Sequence, residues 1–312
     1  MTVSEPKLNQ EVAPTTAPAP GVARTWWIDW INLSGIVSYH VLAIVTVVWF
    51  FSWWGVALAA VGHYTISLLG INLCYHRLLS HRAFACPLWL EHTLAVIGVC
   101  CSQDTPAYWV ATHRRHHHYA DQGRDPHSPT AGFLWSYVGW LFIKDETTER
   151  RAHTGRYSKD LLRDPFYAWL ETHWVWVNGA ASVVFFAAGF FGAWVFGLPA
   201  RDAAMVGLMV VLWGVVVRTV LTWHVFWAVN AVSHRWGYRN YDTKDDSTNN
   251  LFLALIAHGD WHNNHHAAPT AAMHGHRRFE LDPVFGVIRL FGALGLAWDI
   301  IMPATRPWPQ GR

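Results

Sequence analysis

Two short stretches repeat one pattern. "HRRHHH" sets His113, His116 and His117 at i, i+3 and i+4, and "HNNHH" does the same with His262, His265 and His266. Residues three and four apart share one face of a helix, so each stretch presents three imidazoles together. "HRLLSH" adds His76 and His81, and "NAVSH" adds Asn230 and His234 at i, i+4. The five-residue step from His76 to His81 splays on an ideal helix, so a helix end is expected to re-aim one ring. Imidazole suits Fe, Zn or Cu. A structural zinc takes about four ligands; nine imidazoles and one carboxamide suit two metals of about five ligands each, with open positions. Zinc has no redox chemistry and would mean hydrolysis or structure, yet neither HExxH nor a nucleophile motif accompanies these residues. One HxxH occurs by chance on solvated helices. Two HxxHH patterns, an HxxxxH and a further histidine do not read that way. His118 reads as solvated or as an outer partner, and His127 in "DPHSP" as structural or an outer partner. His40, His63, His92, His153, His173, His224, His274 and His276 match no box and read as interfacial or packed.

The elements that must position these groups are apolar. Only 14% of the 312 residues are charged and 52% are hydrophobic, with 21 Trp. Soluble domains carry nearer a quarter charged residues, so the composition points to a membrane protein. Four stretches are long enough to span a bilayer, which needs ~20 apolar residues: 36–54, 55–74, 174–198 and 203–229. The first two follow with no charge between them and form one tight hairpin; the last two form another. Residues 88–99 are too short and carry Glu91, and read as an interfacial or buried helix. The segment 75–173 holds eleven lysines and arginines, whereas Arg201 is the only one between the third and fourth spans. The positive-inside rule makes that segment and both termini cytoplasmic. All the histidine clusters then fall on one side of the membrane. Trp26, Trp27 and Trp30 read as an interfacial belt.

Other features bound the reading. Residues 1–25 begin with a Pro-, Ala- and Thr-rich stretch that lacks an apolar signal core and reads as a disordered tail. Residues 26–304 form the membrane domain and 305–312 a second tail. Cys74, Cys86, Cys100 and Cys101 lack metal spacing and read as free thiols. A net charge of +2 is too balanced for a nucleic-acid partner. Two irons with open positions beside a bilayer suit O2 activation, which cleaves unactivated C–H bonds, and the substrate at hand is an acyl chain.

"GINLCYHRLLSHRAF", "HRRHH", "DPHSP", "WAVNAVSH", "WHNNHHA" and "LGLAWD", in this order around two membrane hairpins, resemble membrane fatty acid desaturases, most nearly the stearoyl-CoA (acyl-CoA Δ9) type. The resemblance covers roughly residues 35–299. It implies an all-α integral membrane fold of four transmembrane helices under a cytosolic helical cap. It implies two Fe ions, O2 as co-substrate, and a cis double bond, usually at Δ9. Position by position, the metal ligands would be His76, His81, His113, His116, His117, His234, His262, His265 and His266, with Asn230 contacting one metal through water. Trp109 and Trp227 would lie along the acyl tunnel. Second-span residues close that tunnel in the desaturases it resembles, so Tyr64 is expected as its floor, with Ala60 one turn beyond. Relatives often carry Gly-Glu before the last box; here it is His258-Gly259-Asp260, and Asp260 is the candidate for the acidic role. A cytochrome b5 signature and a GxGxxG are both missing, so electrons would come from an external ferredoxin or cytochrome b5 with its reductase. The alternatives are a fatty-acyl, alkane or lipid hydroxylase using the same site, and, outside enzymes, a metal transporter or haem protein. A transporter would hold its ligands at mid-bilayer.

Overall fold

The computed structural model describes residues 25–304. The expected tails at 1–25 and 305–312 lie outside the described residues, apart from Thr25. Four helices are long and apolar enough to cross a membrane: α1 (Trp30–Trp49), α2 (Trp53–Ser80), α6 (Pro165–Val195) and α7 (Ala200–Val232). Between α2 and α6 lie α3 (Leu88–Val99), α4 (Pro106–Tyr119) and α5 (Arg150–Tyr157). After α7 come α8 (Leu251–Ile256), α9 (His262–Ala267) and α10 (Pro283–Ala293). The long helices form the membrane body and the short ones a cap at one end. None of the apolar window of α6 is buried inside the protein, as a lipid-facing span requires.

The span boundaries differ from the sequence expectation in an instructive way. The first turn falls at residues 50–52 rather than 54–55, and α2 continues six residues past the expected end at 74. Polar residues do not stop it, because its last turns are buried in protein: Asn72, His76, Arg77 and Ser80 are all buried. Arg77 reaches Asp282 with both nitrogens, at 2.8 and 3.0 Å, and also donates to the Ala272 carbonyl. A bidentate pair of this kind fixes geometry as well as charge, and it ties α2 to the cap beside His76. Trp26 and Trp27 are not simply a belt. Strand β1 (Trp26–Ile28) pairs antiparallel with β2 (Ile143–Asp145), Trp27 opposite Lys144.

Helix α2 is wound in the wider i→i+5 fashion from His63 to Ser80. At ~100° per residue five positions would leave two side chains ~140° apart. Here the N–H of His81 donates to the carbonyl of His76, an i→i+5 bond of 3.2 Å. The winding itself brings the two rings to 5.1 Å. The expected re-aiming at a helix end is therefore spread over the helix; stretches of this kind concentrate at functional sites. Helix α3 lies against α2 backbone to backbone, with a Cβ on Gly70 only 2.6 Å from Gly98 Cα. Small residues at such a crossing let helices approach closely. The main apolar core joins α2, α3 and α10 through Leu73, Leu78, Leu94, Val99, Val284 and Ile288.

Candidate dimetal centre

The last turn of α2, the middle of α4 and the start of α9 converge, and with them five imidazoles. The ligating atoms of His76, His81, His113, His117 and His265 all lie within 4.8 Å of one another. Their Nε2 atoms form a chain of close contacts. His81 to His113 is 2.8 Å, His113 to His117 3.1 Å, His117 to His265 2.8 Å and His265 to His76 2.8 Å. Hydrogen bonding does not explain this. An imidazole nitrogen either donates one proton or offers one lone pair, yet His113, His117 and His265 each have two such neighbours. A cation does explain it: two nitrogens bound cis at ~2.1 Å stand about 3 Å apart. The donor set therefore fits a metal.

A second group lies against the first. His116, His234, His262 and His266 also converge within 4.8 Å, and the His117 and His266 rings are 4.5 Å apart. Here Nε2 of His262 is 2.9 Å from Nε2 of His234, and Nε2 of His116 is 3.3 Å from that of His266. The outer nitrogens meet carboxylates. Nδ1–H of His116 donates to Asp125 at 3.0 Å, that of His234 to Asp121 at 3.1 Å and that of His266 to Asp245 at 2.9 Å. Asp260 Oδ2 stands 3.5 Å from His262 Nδ1. A proton held on Nδ1 by a carboxylate leaves the Nε2 lone pair for a metal and raises ligand basicity. Among the described residues, no carboxylate contacts the outer nitrogens of the first group, and Nδ1 of His265 has no partner.

The box "HNNHH" is anchored by its asparagines. Asn263 Oδ1 accepts from the backbone N–H groups of Asn240 and Tyr241 at 2.7 and 2.8 Å. The Asn264 amide donates to Glu280 at 2.8 Å. The histidines thus face the site while the intervening residues grip the surrounding loops.

Burial and mutual charge set the protonation states. Burial first, then the neighbouring imidazoles, hold His113, His117 and His265 well below the ordinary imidazole range. Burial followed by the Arg114 charge pushes His81 down to about 3. In the second group burial likewise pushes His266 well down. His116 goes the other way: burial opposes its charge, but Asp125, by charge and hydrogen bond, raises it above its ordinary value. Asp125 is itself held low: burial raises it, but the charges of His116 and His127 outweigh that.

An apolar cavity of about 540 Å³ opens onto His76, His113, His116 and His262. Trp109 and Trp227 line it, as do Asn230 and Asp260. Tyr64 and Ala60 do not, which corrects the expected floor. Both face outward, Tyr64 40% exposed with its ring 4.8 Å from His258. The cavity runs instead between α1, α6 and α7, past Tyr39, Ser182 and Trp223. His118 is exposed and outside both groups. His127 is buried with its ring 4.4 Å from His116. His63 and His224, in the spans, are partnered: His63 with Thr222 at 3.0 Å, His224 with Tyr137 at 2.7 Å. The sequence reading missed Asp121, Asp125 and Asp245. The first two sit just after "HRRHHH", a usable signal; Asp245 carries none. It also placed His274 only as interfacial or packed. His274 stacks on His265 at 4.5 Å, buried, with neither ring nitrogen partnered.

Four apolar spans, a cap and two adjacent histidine groups fit to hold metal ions, above an apolar cavity, define a class of membrane protein with a candidate dimetal site at the end of its spans. The model of the fatty acid desaturase family matches residues 49–287, and the chain belongs to that family. It is 36% identical over 95% of its length to an sn-2 palmitoyl-lipid 9-desaturase of Nostoc sp. (strain 36), covering 96% of that protein. An sn-1 stearoyl-lipid 9-desaturase of Anabaena variabilis is 35% identical, with 88% and 94% covered. An acyl-CoA C20 Delta5-desaturase of Anemone leveillei is 37% identical, with 90% and 86% covered. The protein is a membrane oxidoreductase of fatty acyl groups, and its histidine clusters suit the two irons of its family.

Proposed function

We propose that the chain desaturates a fatty acyl group at Δ9, using O2 and two electrons from an external donor. The observation that carries this reading is the pair of histidine groups opening on one apolar cavity. His76, His81, His113, His117 and His265 would hold one iron, and His116, His234, His262 and His266 the other. Two bound irons would supply the oxidising power; overall, the two hydrogens taken from the chain, with O2, two electrons and two protons, would end as two waters. The rest is the work of this chain. Trp109 and Trp227 wall the acyl chain, and the apolar lining keeps bulk water from the reacting carbons. Asn230, half-buried beside His262 and Asp260, orients a water between its carboxamide and the second group. Asp121, Asp125 and Asp245 keep Nδ1 protonated, so that three Nε2 lone pairs stay aimed inward.

Electrons come from a ferredoxin or cytochrome b5 with its reductase, and the cap and both termini face the cytoplasm. The Δ9 position is taken from the relatives named for it. Cysteine labelling at Lys159 and Arg201 tests sidedness: opposite labelling fits, and labelling from one side refutes it. Expression in a desaturase-deficient host, with mass spectrometry of double-bond positions, tests the reaction. A 9-unsaturated acyl product supports it; a hydroxylated acyl product, or none from iron-loaded protein given its donor, overturns it.

A further inference from the structure

The cavity is not closed all round. Its wall on one side is made by the first turns of α1 and by the part of α6 around residues 174–182. Ile31 and Val175 line the cavity, yet they are 80% and 57% exposed. A side chain exposed to that degree cannot be part of a sealed wall. The helices explain the gap. Helix α1 packs on α7 and on the turn at 140–142, while α6 packs on α7, α3 and α4, so α1 and α6 are not held against each other. The residues facing across the gap include Gly35 and Gly179, both exposed, and a Cβ at either would meet nothing within 4 Å. No side chain at these positions shuts the opening.

The depth of the gap identifies what it faces. Gly35 lies five residues into α1 beyond Trp30, about 7.5 Å along the helix, and Tyr39 about 13.5 Å, at 1.5 Å per residue. This is acyl-chain depth in the leaflet on the cap side. At its cap end the cavity turns polar, with Asn32, Gln103, Asp104 and Lys144. The charges there are already engaged. Asp104 pairs with Arg150 at 2.6 Å, and Lys144 is buried, its ammonium donating to the Tyr108 hydroxyl at 3.2 Å and lying over the Tyr108 and Trp140 rings. Among the described residues, no arginine lines the cavity. A carrier with several phosphates calls for free guanidinium or ammonium groups, and this rim does not offer them; esters and hydroxyls suit it.

We infer that the opening between α1 and α6 is a lateral portal, through which the acyl chain of a membrane glycerolipid enters while its headgroup stays at the interface. This rests on the acyl-desaturase reading and adds where the substrate comes from. The lipid slides in from the bilayer, its ester linkage reaches the Asn32–Gln103 rim, and its mid-chain carbons reach His76 and His262. No passage through water is needed.

The test uses the full chain in nanodiscs of phosphatidylcholine whose acyl chain carries a mid-chain diazirine. Photolysis followed by peptide mass spectrometry maps where the chain sits. The portal predicts adducts on the cavity-lining Trp109 and Trp227. It predicts that Gly35→Trp and Gly179→Trp lower these to the level of the unphotolysed control. In case a tryptophan disturbs folding, Gly179→Cys is capped with a bulky maleimide after reconstitution, and cavity adducts must fall equally. The same capping of Gly192→Cys, further along α6 with equally open surroundings, must leave them unchanged. Adducts confined to outward residues such as Trp176 and Trp194, or cavity adducts that survive both plugs, overturn the portal. Double-bond formation is scored separately in the same nanodiscs. Cavity adducts without any double bond support the portal and overturn the desaturase reading. Desaturation of added acyl-CoA without cavity adducts from lipid overturns the portal and spares that reading.

Discussion

The two histidine groups are neighbours built on different principles. The five-histidine group is held by packing: α2, α4 and α9 press its rings together, and among the described residues no carboxylate contacts its outer nitrogens. The four-histidine group is held by charge, with Asp121, Asp125 and Asp245 each accepting a hydrogen bond from an outer nitrogen and Asp260 standing beside a fourth. Carboxylate support raises the basicity of a ligand and its hold on a metal. Positive neighbours do the reverse, and Arg114 lies close enough to His81 to lower it. The difference teaches that one centre offers two unequal metal positions, one lined by imidazoles alone, the other ringed by carboxylates that raise His116 above its ordinary value.

The comparison can be broken most severely by removing ligands. His265→Ala and His262→Ala should each abolish desaturation, but the first should empty the five-histidine position and the second the four-histidine position. Metal analysis of both variants checks this; identical losses from both would merge the two groups into one. The next effect in size is on the carboxylates. Asp125→Asn or Asp245→Asn should weaken the four-histidine position by ~10–100-fold and leave the other unchanged, read by competition with a graded series of chelators.

Acidity separates the groups again. His113, His117 and His265 are neutral near pH 7, each with one nitrogen free of a proton, so metal uptake by their group displaces none and stays flat from pH 7.5 to 6. His116 sits above its ordinary value and must lose a proton, so affinity of its group should fall by up to about tenfold per pH unit as pH drops. Proton release measured during metal titration checks it. Stability of the metal-free protein follows the sign of the shifts. His81 takes a proton at 6.5 when unfolded but only at about 3 when folded. Its contribution is whole above 6.5 and is lost as pH falls towards 3, at ~1.4 kcal/mol per pH unit. Smaller still, His274→Ala should cost about 1–3 kcal/mol while both positions keep their metal. Tyr64→Ala should leave chain-length preference unchanged, because Tyr64 lies outside the cavity.

Why some of this was legible and some was not has a physical cause. His113, His116, His117, His262, His265 and His266 announced themselves because helical spacing is printed in the sequence. The His76/His81 pair stood out as an anomaly, but its resolution by wider winding needed the structure. The same winding undid the expectation for Tyr64 and Ala60. A face extrapolated at regular helical pitch along α2 drifts once the pitch changes at His63. The supporting carboxylates escaped because they cross the fold: Asp121 follows "HRRHHH" but serves His234, and Asp245 comes from a loop without periodicity. The gap between α1 and α6 is a property of helix packing, which span hydropathy does not report.

The central claim is that two histidine groups hold two irons on which desaturation depends. Iron content per chain, measured on purified protein alongside His265→Ala and His262→Ala, tests it most directly. The account predicts about two irons in the parent chain at about five ligands each, and one in each variant with no unsaturated product. Iron unchanged in both variants, or a parent chain that desaturates without iron, would contradict it.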